Sequence, residues 1–143
     1  MTPAGYSGTP LPKKLGIGDG ARVAFVGAPG GFARTLGKLP TGVHLRTQAR
    51  GPLDVIVFFT KKRAELERRV DALAAAIDPA GGLWVAWPKR ASGITTDMNE
   101  DVVRAVALPL GLVDNKVCAI DDTWSGLRVV WRKEKRSTAR KAG

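Results

Sequence analysis

Four short segments of this chain hold most of the side chains that could do chemistry. Gly27-Ala28-Pro29-Gly30-Gly31 can present backbone N–H groups to an anion, with Gly27, Gly30 and Gly31 leaving the approach clear. It is neither G-x-G-x-x-G nor a Walker loop, and a plain strand-to-helix turn uses the same residues. Thr60-Lys61-Lys62 sets a hydroxyl beside two ammonium groups. Pro88-Lys89-Arg90-Ala91-Ser92-Gly93 offers Lys89, Arg90 and Ser92 to an anion, Arg90 in bidentate geometry. Solvated charge at a strand end is the alternative there. Asp121-Asp122-Thr123-Trp124-Ser125-Gly126 carries two carboxylates and an indole. Asp121 and Asp122 suit an acid/base pair or Mg²⁺ ligation, yet adjacent aspartates also simply make a hairpin turn. Trp124 can stack on a base or cover the hairpin.

The remaining chemical side chains stand alone. His44 is the only histidine, so a histidine zinc site or a Ser-His-Asp triad lacks support. Cys118 is the only cysteine and alternates within an apolar strand, as a buried structural thiol does. Trp84, Trp87 and Trp131 lie in apolar runs and read as core.

The elements that must position these segments follow from periodicity. Residues 1–20, rich in Gly, Pro and Thr, form an arm with a short helical turn at Lys13–Leu15. Arg22–Val26 is a buried strand, Phe32–Leu39 has room for about two helical turns, and Gly42–Gln48 is a short strand. Leu53–Phe59 is apolar on both faces past Asp54, the pattern of an inner strand. Thr60 suits the cap of the next helix, in which Leu66, Val70, Leu73 and Ile77 recur at helical spacing and Glu65 and Arg69 form an i,i+4 pair. Asp78–Gly82 stops that helix, and Leu83–Trp87 is another buried strand. A helix starting at Thr96 or Asp97 ends at Pro109 and Gly111. Lys116–Ile120 and Leu127–Trp131 flank the Asp121–Gly126 turn. This order predicts an α/β domain over 21–131: a Rossmann-like, mainly parallel sheet with helices on both faces and a C-terminal antiparallel hairpin.

Composition narrows the setting. A chain of 143 residues with 44% apolar content supports one domain with a core. A single cysteine permits no internal disulfide, and no signal peptide or membrane-spanning run is visible, so the expected compartment is the cytoplasm. The net charge of +10 is uneven: +6 over residues 1–50, zero over 51–100 and +4 over 101–143. The tail, 132–143, alone carries +5. It suits contact with nucleic acid or another acidic partner, or a solvated terminus.

Several segments resemble class I S-adenosylmethionine-dependent methyltransferases. Val23–Gly31 resembles that family's first strand and glycine loop, Pro52–Val57 its fourth strand and Leu83–Trp87 its fifth. Leu110–Val113 resembles the turn before its sixth strand, and the hairpin resembles its strands six and seven. More narrowly, Tyr6–Leu11, Trp87-Pro88-Lys89 and Asp121–Leu127 resemble a bacterial domain-of-unknown-function family. The methyltransferase resemblance implies an acid in the first strand, where Phe25 stands, and a glycine where Pro29 stands. It implies an acid for the ribose hydroxyls after the second strand, where Val43–Gln48 has none. The chain is also short of the usual doubly wound plan by about one strand–helix unit.

These observations yield three functional expectations. The first is a non-catalytic module that binds a small anionic or nucleotide-like ligand at the carboxyl ends of the strands, where the four segments meet. The second, implied by the resemblance, is a divergent S-adenosylmethionine-dependent transferase. The third is a nucleic-acid-binding protein acting through its basic surface and tail.

Overall fold

The computed structural model describes residues 9–135. Tyr6–Gly8 of the signature and most of the basic tail, 136–143, lie outside them. In chain order the elements are α1 (Leu11–Lys14), β1 (Arg22–Val26), α2 (Phe32–Leu36), β2 (His44–Arg46), β3 (Leu53–Phe59), α3 (Arg63–Ala76), β4 (Ile77–Pro88), α4 (Glu100–Ala107), β5 (Leu112–Ala119) and β6 (Trp124–Trp131). Short 3₁₀ turns at Arg90–Ser92 and Leu108–Leu110 flank α4.

The strands form one sheet of order β2-β1-β3-β4-β6-β5. β2, β1, β3 and β4 pair in parallel, and β6 runs antiparallel between β4 and β5. Alternate residues of each inner strand face opposite layers. Ile56, Phe58, Leu83 and Val85 pack with Leu66, Val70 and Leu73 of α3 and Val103 of α4. Val23, Val57, Trp84 and Ala86 pack with Phe32 and Leu36 of α2 and Leu11 and Leu15 before β1. The helices thus cover both faces, as the pattern predicts. No helix of the described residues is long and apolar enough to cross a membrane.

The N-terminal segment enters the second layer. Leu15 is fully buried, and the Trp84 indole N–H donates to its carbonyl at 3.0 Å. A buried indole needs such an acceptor, which fixes the segment onto β4.

Several boundaries differ from the sequence expectation. β4 begins at Ile77, directly after α3, because Leu53 pairs with Ile77 before the register shifts and resumes at Val55 and Gly82. Gly81 allows that shift, since a Cβ there would lie 2.7 Å from the Asp54 carbonyl oxygen. α4 starts at Glu100 because the Asn99 side chain, not Thr96 or Asp97, accepts the Val102 N–H at 2.9 Å. α2 stops at Leu36 before Gly37, and β2 shrinks to three exposed residues. The initial helical turn begins at Leu11, and β5 begins at Leu112. Thr60 does not cap α3, whose preceding residue is Lys62. The Glu65–Arg69 pair does not form: Glu65 turns to Thr60, while the Arg69 guanidinium lies over the Phe58 ring at 5.5 Å. The observed i,i+4 pair on that helix is Arg63–Glu67, at 3.2 Å.

One ionic clamp ties the amino ends of the central strands. Asp54 on β3 accepts the Arg22 backbone N–H at 2.8 Å and its guanidinium at 2.8 and 3.1 Å, and Asp78 on β4 lies 3.5 Å from the same guanidinium. Hydrogen bonding from Arg22 holds the Asp54 carboxyl below its ordinary value. A depressed carboxyl stabilises the fold above its unfolded pKa of about 3.9, and that contribution is lost as pH falls through the lower folded value. Asp54→Asn should therefore cost up to about 1 kcal/mol at neutral pH, limited by solvent screening, and the difference should close in acid. Urea unfolding across pH measures this; equal stability at neutral pH would remove the clamp from the account.

Candidate functional site

The chain leaves β1 toward β2 on one side and returns to β3 on the other. In an open parallel sheet such a reversal leaves a crevice at the carboxyl ends of the two strands. Here Gly27 ends β1 with φ +71°, and a Cβ there would stand 2.9 Å from the Phe59 carbonyl oxygen. Only glycine combines that conformation with that approach. The crevice opens into a pocket of about 980 Å³. One wall is Gly27, Pro29 and Gly30; the second is Thr60, Lys61, Lys62, Glu65 and Arg68; the third is Asp121, Thr123 and Trp124. Phe59, Ala64 and Ile94 complete the lining.

The second wall is organised by a buried hydroxyl. Thr60 is 3% exposed; its Oγ1 donates to the Glu65 carboxylate and accepts the Lys62 N–H at 3.2 Å. This holds Glu65 at the base of the wall. The Lys61 carbonyl accepts Thr96 Oγ1–H at 2.6 Å, and Asp97 Oδ1 accepts the Arg63 N–H at 2.8 Å. The loop that carries Ile94 is thereby clipped to the start of α3. Thr96 and Asp97 serve this closure rather than a helix start. Lys61, Lys62 and Arg68 have no ion pair or side-chain hydrogen bond among the described residues.

The third wall is a tight hairpin turn. Asp121 Oδ1 accepts the N–H groups of Thr123 and Trp124, each at 2.8 Å. β6 accordingly starts at Trp124, and Ser125 and Gly126 already pair with Ala119 and Cys118. Trp124 is 6% exposed and meets Phe59 edge to face at 5.2 Å. Phe59 meets Phe32 at 4.9 Å, and Phe32 meets Phe25 at 5.1 Å. An aromatic row thus crosses the sheet beneath the pocket, each pair in the arrangement that ring quadrupoles favour.

Of the residues singled out in the sequence, Gly27, Gly30, Lys61, Asp121 and Trp124 line this one pocket. Gly31, Lys89, Arg90, Ser92 and Asp122 do not. Gly31 adopts φ +83° just before α2. The Lys89 N–H donates to the Thr123 carbonyl at 2.7 Å, and Ser92 Oγ–H donates to the Lys89 carbonyl at 2.7 Å. Those bonds fold Lys89, Arg90 and Ser92 into a turn outside the wall that Ile94 completes. Asp121 and Asp122 belong to no group of three potential metal ligands among the described residues. Sequence reasoning missed Glu65, Arg68 and Ile94. The spacing of Glu65 and Arg68 on one face of α3 was the available signal. Elsewhere, Cys118 is buried, which pushes its thiol pKa up, and His44 is exposed on the edge strand β2.

The chain is similar in structure to a protein assigned as a type 11 methyltransferase from Sulfolobus solfataricus, with a TM-score of 0.59, 13% identity, and 86% of this chain and 90% of that one covered. The fold is methyltransferase-like. A magnesium protoporphyrin IX methyltransferase from Synechocystis PCC 6803, solved with bound SAM (S-adenosylmethionine), matches with a TM-score of 0.55, 12% identity, and 85% and 74% of the two chains covered. A ribosomal protein L11 methylase from Lactobacillus delbrueckii subsp. bulgaricus matches with a TM-score of 0.51, 14% identity, and coverage of 78% and 70%. No family model and no curated protein sequence matches the chain.

Gly27→Ala should destabilise the methyltransferase-like sheet by about 1–3 kcal/mol, through left-handed strain and the clash with Phe59. Gly30 has open space at its Cβ and no positive φ, so Gly30→Ala should change stability by less than about 1 kcal/mol. Chemical denaturation of both variants checks the contrast; equal effects would contradict the close approach.

Proposed function

We propose that the protein binds a small anionic or nucleotide-like ligand in the crevice between β1 and β3, without catalysing a reaction on it. The observation that carries this reading is the trio Lys61, Lys62 and Arg68. Three cations without ion-pair partners among the described residues line a single pocket over an aromatic floor. An anion gains charge-assisted hydrogen bonds there, and Arg68 offers a fork that matches carboxylate or phosphate. Glu65 and Asp121, the two carboxylates lining the pocket, already accept hydrogen bonds from Thr60 and from the hairpin backbone. That arrangement supports a binding role over an acid/base role.

The fold likeness favours a second reading, divergent S-adenosylmethionine-dependent transfer, because a neighbour of similar fold was solved with that molecule bound. The residues here do not fit the cofactor in the family's usual manner. Phe25 occupies the acidic position of β1 and is packed on Phe32, where it accepts no hydrogen bond. No acid lies in His44–Gln48, and the sheet ends at β2.

Thermal unfolding with adenosine 5′-monophosphate, pyrophosphate and S-adenosylhomocysteine separates the readings. A ligand at about a hundred times its Kd adds roughly 2.7 kcal/mol, several degrees of melting temperature. The nucleotide or pyrophosphate should raise the melting temperature of the parent protein, and Lys61→Ala with Arg68→Ala should abolish the shift. A shift given by S-adenosylhomocysteine alone and kept by the double variant would transfer the conclusion to the second reading.

A further inference from the structure

Resting on the anionic-ligand reading, we infer that Thr60 is the positioning residue of this site: by holding Glu65, it keeps Arg68 without a carboxylate partner and leaves the crevice cationic. Thr60 is the only polar or charged residue that is buried among the described residues. The sheet sets its place, because its backbone N–H donates to the Ala86 carbonyl at 3.0 Å just past the end of β3. A hydroxyl so placed must find its partners within the protein. The Lys62 carbonyl lies 3.2 Å from Oγ1, but the Glu65 carboxylate lies nearer and takes the proton. The Lys62 N–H donates back to Oγ1 at 3.2 Å.

Glu65 stands where other partners are within reach. It is the third residue of α3, which Lys62 precedes. An acid at that position ordinarily turns back to the N–H of the residue before the helix, but Thr60 already accepts that N–H. Residues three and four positions apart on a helix are neighbours, so Arg68 and Arg69 are the cations in range. Arg69 lies over the Phe58 ring, while Arg68 lines the pocket with no ion pair among the described residues. Removing the Thr60 hydroxyl opens both the Lys62 N–H and Arg68 to Glu65. A hydrogen bond between two full charges is the stronger of these contacts, so Glu65 turns to Arg68. That pair takes up the one guanidinium of the pocket, the group whose fork matches a carboxylate or phosphate. Thr60 therefore acts on the ligand without touching it, through Glu65.

Isothermal titration of pyrophosphate into the full chain tests this, comparing the parent with Thr60→Val, Thr60→Ser, Glu65→Gln and the Thr60→Val/Glu65→Gln double variant. Thr60→Val should weaken binding on the order of fivefold, a coupling typical of residues in one hydrogen-bond network. Thr60→Ser keeps the hydroxyl and should bind as the parent does. Glu65→Gln should tighten binding more in the Thr60→Val background than in the parent, so that the double variant regains the lost affinity. Equal gains in both backgrounds would overturn the inference, because Thr60 would then act without Glu65. The Arg68 Nε–H resonance supplies a second readout that needs no ligand. It should move on Thr60→Val and stay in place when Glu65→Gln is made in the parent. A shift on Glu65→Gln alone would mean that Glu65 already pairs with Arg68, and would overturn the inference even if Thr60→Val failed to fold. An unmoved resonance in folded Thr60→Val would overturn it too, since Glu65 would then have gone elsewhere. Failure of the parent to bind pyrophosphate would overturn the anionic-ligand reading itself, whereas binding left unchanged by Thr60→Val would overturn the inference alone.

Discussion

The contact between the carboxyl ends of β1 and β3 is the constraint from which the rest follows. Gly27 must pass the Phe59 carbonyl at a distance that no side chain allows. Because it does, the chain can leave β1 toward β2 and later return to β3 on the opposite side without a strand between them. The crevice is therefore a consequence of connectivity, not an indentation added to a finished surface. Thr60, the next residue after β3, then orients Glu65 and the start of α3 around it.

The two ends of the sheet differ in electrostatic character. At the amino ends, Arg22 is committed to Asp54 and Asp78, bonding three parallel strands together. At the carboxyl ends, Lys61, Lys62, Arg68, Lys89 and Arg90 hold no such partners among the described residues. An ion-pair clamp ties the strands where they begin, while these five cations stand without such a clamp where the strands end. The aromatic row Phe25–Phe32–Phe59–Trp124 underlies the latter region. Phe25 joins that row from β1 by packing on Phe32.

The elements whose burial is decided along one strand or one helix face were legible in the sequence. Leu53–Phe59 reads as an inner strand because both faces are apolar, and it is one. The helix after it is visible from Leu66, Val70 and Leu73. Features set by distant partners were hidden. Ile77 continues a helical stripe, yet pairing with Leu53 makes it the start of β4. Glu65 and Arg69 have ideal spacing for a pair, yet a buried hydroxyl and an aromatic face take one each. At the crevice, proximity to strand ends drew attention to Gly27, Lys61, Asp121 and Trp124, which share its lining. It could not separate them from Lys89 and Ser92, because the turn that carries those residues outward depends on a bond to Thr123 across the sheet.

The central claim is that the switch-point crevice is the ligand site, and amide chemical shifts test it most directly. On titration of the isotopically labelled protein with adenosine 5′-monophosphate, the account predicts saturable shifts concentrated at Gly27, Gly30, Thr60–Lys62 and Thr123–Trp124. Shifts concentrated instead along the α1–β5 groove around Lys13 and Lys116, with the crevice amides unmoved, would contradict it.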